Sequence, residues 1–181
     1  MGRYVALLRG INFGGNNLIK MAALAAAFEK EGFHRVATYI QSGNVLFDAT
    51  GAAPAKLVGR VEAMLDATFD YRAKVVILSR PQLRRVVDEA PQGFGSEPAK
   101  YRYDVLYLMP PLKAAAAVAS VPAKAGVDRV AAGPGVLYFS RLVARATQSQ
   151  LSRIVAMPIY KSMTIRNWNT TIKLLERMEA P

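Results

Sequence analysis

Val36-Ala37-Thr38-Tyr39-Ile40-Gln41-Ser42-Gly43-Asn44-Val45-Leu46-Phe47 decides the architecture. Val36 to Ile40 is rich in β-branched and aromatic residues and reads as a strand. Ser42-Gly43-Asn44 is turn chemistry, and Val45-Leu46-Phe47 returns, so the stretch reads as a hairpin. On its upstream side, apolar residues fall at Met21, Leu24, Ala25 and Phe28, the spacing of one helix face, and Gly32 is placed to end that helix. Before it, Tyr4 to Leu8 reads as a strand and Gly10 to Asn17 as a loop. On the downstream side, Pro54 suits a first helical turn, with Leu57, Val61, Met64 and Leu65 on one face. Lys74 to Leu78 closes the run as a strand, and the order is βαββαβ.

The same order recurs after a break. A helix pattern follows Pro81, and Ala90 to Arg102, with two Pro and two Gly, reads as a linker. Val105 to Met109 is then a strand, and Pro110-Pro111 opens an Ala-rich helix ending near Ser120. Val127 to Ala131 and Val136 to Phe139 flank Gly133-Pro134-Gly135 as a second hairpin. Leu151, Ile154 and Val155 mark a helix ended by Pro158. Ser162 to Ile165 is a short strand, and a last helix starts near Trp168. The expected fold is α+β: two consecutive ferredoxin-like βαββαβ units with antiparallel sheets, plus a C-terminal helix. The expected divisions are residues 1–80, a helix and linker over 81–102, and 103–181.

Net charge is +11 and the isoelectric point about 10.1, which favours an anionic partner. The charges are spread out, so a solvated basic surface accounts for them equally well. The chain has no Cys and one His, His34. That composition excludes disulfides, thiol nucleophiles and Cys-ligated metals, and no metal or cofactor is expected. No apolar run is long enough to span a bilayer, and the first residues lack a signal-peptide layout, so the expectation is a cytoplasmic protein without a membrane partner.

Three segments are hard to read as generic: Tyr4-Val5-Ala6-Leu7-Leu8-Arg9-Gly10-Ile11-Asn12, Tyr39-Ile40-Gln41-Ser42-Gly43-Asn44-Val45, and Arg166-Asn167-Trp168-Asn169-Thr170. In order and spacing they resemble the bacterial family catalogued as domain of unknown function 1697, across essentially the whole chain. The resemblance implies two ferredoxin-like halves and a cytoplasmic location. It implies no activity, so it names no catalytic residue.

The same segments supply the candidate site. Arg9 ends the first strand beside a Gly/Asn loop containing Asn12, where a guanidinium and backbone N–H groups suit an anion. The loop matches no phosphate-binding fingerprint, and a plain strand-to-helix connection with glycines at positive φ is the simpler reading of it. Gln41 and Asn44 lie at the hairpin tip, where turn geometry explains Asn44 and leaves Gln41 less accounted for. Asn167 is placed to cap the last helix, which leaves Arg166, Asn169 and Thr170 as surplus polar groups around Trp168, the only Trp. An indole beside amides and a guanidinium can stack and hydrogen-bond a base or sugar. The stretch Tyr101-Arg102-Tyr103-Asp104 can extend a nucleic-acid surface, although a solvated loop is the simpler reading. The expected function is therefore a binding module for a phosphate-bearing ligand, with nucleic acid or a nucleotide as partner. The alternatives are a metal-independent enzyme on a small phosphorylated or acidic substrate, and a structural protein whose motifs only cap and pack. Oligomeric state is not legible.

Overall fold

A computed structural model describes residues 1–11, 18–51, 53–69 and 72–180. The chain divides into two compact units, residues 1–83 with 174–181, and residues 84–173. The fold is mixed α+β with two four-stranded antiparallel sheets.

In the first unit the order is β1 (Gly2–Arg9), α1 (Met21–Lys30), β2 (His34–Tyr39), β3 (Asn44–Ala49), α2 (Pro54–Phe69) and β4 (Lys74–Ser79). The sheet order is β2-β3-β1-β4. Alternate residues of β1 and β3 point into one core: Tyr4, Ala6 and Leu8 beside Val45, Phe47 and Ala49. Helix α2 buries Leu57, Val61, Met64 and Leu65 against it, the face the spacing predicts. Helix α1 buries Leu24, Ala27 and Phe28. It ends at Gly32, whose φ of +88° closes a Schellman motif: Phe33 N donates to Phe28 O and Gly32 N to Glu29 O.

The β2–β3 hairpin forms as expected, with one difference. Tyr39 pairs directly with Asn44, so residues 40–43 form the loop and Ile40 leaves the strand. Within this four-residue loop Ile40 turns to φ +50° and Gly43 to φ +70°, so the chain reverses through two left-handed residues. Gly43 is also sterically required, since a Cβ there would meet Ile11 Cδ1 at 2.6 Å.

After α3 (Arg80–Asp88), the second unit runs β5 (Tyr101–Leu108), α4 (Ala114–Ser120), β6 (Asp128–Ala132), β7 (Val136–Leu142) and β8 (Met163–Asn167). Helix α5 (Trp168–Glu179) follows. The sheet order β6-β7-β5-β8 repeats that of the first unit. Two sequence expectations need correction here. Strand β5 begins at Tyr101, within the segment read as linker, because Tyr101 already pairs with Leu142 of β7. The helix expected around Leu151 is replaced by three 3₁₀ turns, Val143–Gln148, Leu151–Ala156 and Pro158–Ser162. Leu151 and Ile154 are buried and Val155 is exposed, which suits three residues per turn better than an α-helical face. The core on the α4 side holds Leu106, Leu108, Leu137, Phe139, Ile154 and Met163.

Candidate functional site

The register of the second sheet fixes what its other face carries. Leu106 and Leu108 face the core, so Tyr101, Tyr103 and Tyr107 point the opposite way. By the same alternation Tyr138 and Ser140 of β7 and Arg129 and Ala131 of β6 share that face. Tyr103, Ser140 and Arg129 lie in one row across β5, β7 and β6. The segment Pro91–Glu97 lies over these side chains, and Phe94 sets its ring edge-on to Tyr103, Tyr138 and Trp168, with centroids 4.9, 5.3 and 5.0 Å away. Gly95 takes φ +87° and lies so close to the Trp168 indole that a Cβ would collide with it. Tyr138 anchors the arrangement by donating to Val86 O at 2.6 Å, and burial pushes its hydroxyl pKa up to about 12.

Strand β8 stops at Asn167, opposite Asp104, so the first residues of β5 extend past it. A polar cleft of about 220 Å³ opens there, lined by Arg102, Asp104, Arg141, Asn167, Trp168 and Asn169 together with Tyr101 and Tyr103. Arg102 and Arg141 face each other directly across β5 and β7. Like charges in that position oppose sheet formation unless an anion lies near. The anion supplied by the chain is Asp104, whose carboxylate is 3.7 Å from the Arg141 guanidinium. Burial raises the Asp104 pKa above its ordinary value, although Arg141 and Arg102 both pull it down. Asp104 Oδ2 and Arg141 Nε are buried without a hydrogen-bond partner among the described residues.

Of the residues singled out in sequence, Asn167, Trp168 and Asn169 line this cleft. Asn167 caps α5, accepting from Thr170 N at 2.8 Å. Thr170 is buried. Arg166 is buried too, and its Nη1 donates to Thr164 Oγ1 and Ile165 O, at 2.9 and 2.8 Å. Burial lowers its pKa to about 10, against the opposing pull of the nearby hydroxyls of Tyr107 and Tyr160. The remaining candidates belong to the first unit. Arg9 is half-buried at the end of β1, and Gln41 is exposed in the hairpin loop. Asn44 is fully buried, donating to Tyr39 O and Ser42 Oγ at 2.9 Å each, which locks the hairpin. Asn12 lies outside the described residues. Sequence reasoning did not nominate Arg141, Arg129 or Phe94. The alternation of aromatic and charged residues in Tyr101-Arg102-Tyr103-Asp104 was the one signal that could have placed the site on a strand.

These features define a two-sheet α+β protein with an arginine- and aromatic-lined cleft beside its last helix. The chain belongs to the family described as protein of unknown function (DUF1697), whose model matches residues 1–138. Among solved structures it is similar to the conserved bacterial protein SP0830 from Streptococcus pneumoniae, at 24% identity and a TM-score of 0.86. That match covers 98% of this chain and 99% of the other, and shows a shared fold. No curated protein matches. Among the described residues, no helix is long and apolar enough to cross a membrane.

Proposed function

We propose that this protein, built on two ferredoxin-like units, is a binding module for a phosphate-bearing ligand, a nucleic acid or a nucleotide, held in the cleft at the start of α5. The directly opposed Arg102 and Arg141 carry this reading. Two arginines paired directly across the strands present forked donors to a phosphate, and an anion near them relieves a repulsion built into the sheet. Asn169 adds an amide beside them, and Trp168 adds an aromatic wall. The net charge of +11 draws polyanions toward the surface.

Trp168 is the only Trp and lines the cleft, so its fluorescence reports on ligand bound there. Titration with uridine monophosphate, ATP and short RNA and DNA oligomers at several salt concentrations should quench it saturably. Arg141→Gln should weaken binding about tenfold or more, as loss of a charge-assisted contact does. The reading fails if none of these probes changes the fluorescence.

One observation favours a second reading. A carboxyl with a raised pKa beside two guanidiniums in a cleft is suited to proton transfer, so Asp104 would serve a metal-independent reaction on a small phosphorylated substrate. Under that reading Asp104→Asn abolishes turnover of phosphate esters and leaves their binding intact.

A further inference from the structure

A second cavity, of about 320 Å³, lies on the sheet face beyond Tyr101 and Tyr103. Those two tyrosines also line the polar cleft, so they form a shared wall. The floor of the cavity is the row Tyr103, Ser140 and Arg129 with Tyr138 beside it, and its roof is the segment carrying Phe94. Two cations border Tyr101: the Arg129 guanidinium and Lys100 Nζ each lie 5.3 Å from its ring centroid. The aromatic wall therefore has positive charge on both sides, Arg102 and Arg141 lining the polar cleft and Arg129 lining the second cavity, with Lys100 against the Tyr101 ring.

We infer that this cavity is a base-stacking subsite and that the ligand is single-stranded nucleic acid of at least two nucleotides. This rests on the phosphate-binding reading of the cleft. A mononucleotide places one phosphate group and satisfies one of the two basic borders. A strand places successive phosphates at both, with the intervening base against the tyrosines. Base–aromatic stacking tolerates any base, so the site reads strandedness and charge spacing rather than sequence. Ser140, Ser96 and Gln92 offer hydrogen bonds at the cavity edge without fixing one base pattern.

The test compares uridine monophosphate with oligouridylates of two, four and eight nucleotides, by Trp168 fluorescence and by anisotropy of labelled strands. Wild type should bind the tetranucleotide at least tenfold more tightly than the monophosphate. Arg129→Gln, a change at an exposed strand position, should remove most of that gain, leave monophosphate affinity unchanged and flatten the salt slope by about 0.7. Tyr101→Leu should also remove the gain, and circular dichroism would establish that each variant is folded. Equal affinity for monophosphate and tetranucleotide overturns the inference and leaves the phosphate reading standing. Wild-type affinity of folded Arg129→Gln for every length overturns the inference alone. Displacement of the oligomer by polyglutamate at equal charge concentration also overturns it, because the face would then recognise charge without bases. Absence of binding by all probes overturns both readings.

Discussion

The two sheets share a strand order and part company on the face away from their packed cores. In the first unit that face carries Val5, Leu7, Leu46 and Leu78, all buried and aliphatic, beside the ion pair of Arg3 and Asp48. In the second unit it carries Tyr101, Tyr103, Tyr138, Ser140 and Arg129, and a cavity lies over them. The same backbone pattern thus carries a buried aliphatic patch in one half and an aromatic, basic cavity floor in the other. Topology repeats while chemistry does not, which is why function has to be argued from side chains and not from the fold. The contrast also separates two kinds of substitution: in the first unit they should act on stability, and in the second on binding.

The sharpest break of that contrast lies in the core of the first unit. Phe47 packs against Tyr4, Phe28 and Phe33, with ring centroids 5.7, 5.4 and 4.7 Å away. Phe47→Ala should lower unfolding free energy by about 3–5 kcal/mol, measured by urea denaturation. At temperatures where the variant is still folded, its affinity for an oligouridylate should match wild type. A loss of affinity in the folded variant would show that the halves do not divide the labour.

The next largest effects come from a pair of asparagines, one in each unit. Asn44 is buried and holds Tyr39 O, so Asn44→Ala leaves a carbonyl without its partner and should cost about 1–3 kcal/mol. Asn167 is exposed and caps α5, so Asn167→Ala should cost about 1 kcal/mol. Asn167→Asp sharpens the comparison, because a carboxylate caps as well as an amide and favours the helix N-terminus. Stability should then stay within about 0.5 kcal/mol of wild type, while the added negative charge weakens oligouridylate binding about fivefold or more. Unchanged affinity in Asn167→Asp would assign the residue to capping alone.

How much of this was legible in sequence varies with how local the cause is. The β2–β3 hairpin and the buried face of α2 were readable because turn residues and helical spacing are local signals. The Schellman end of α1 was readable from Gly32 for the same reason. The start of β5 was hidden, because Pro98, Gly93 and Gly95 beside it carry the composition of a loop. Those residues in fact shape the roof over the sheet face, where Gly95 is needed for its approach to Trp168. Arg141 could not be paired with Arg102 from sequence at all, since their meeting depends on the register of strands 39 positions apart. Arg166 shows the converse: a motif residue conspicuous in sequence, buried and bonded to Thr164 and Ile165 of its own strand.

The smallest expected stability change probes the chemistry of the cleft most directly. The Asp104 carboxyl binds its proton more tightly in the folded protein than in the unfolded chain, since burial raises its pKa. The stabilisation gained by protonating it is therefore fully present below the unfolded carboxylate pKa and is lost as pH rises through the folded value. At neutral pH the ionised group costs stability, and Asp104→Asn removes that cost. Arg141 keeps a side chain about one third exposed, so water solvates it once its partner is gone. The net change should be a gain of less than about 1 kcal/mol. The same carboxylate repels phosphodiesters in the cleft. Oligouridylate affinity of wild type should rise as pH falls through the Asp104 titration, which burial raises from the carboxyl's ordinary value, and the phosphodiesters stay ionised throughout. Asp104→Asn should bind about twofold to fivefold more tightly at neutral pH and lose that pH dependence. A variant that binds more weakly than wild type would mean that Asp104 orients the arginines, and that the repulsion between Arg102 and Arg141 is already resolved within the chain.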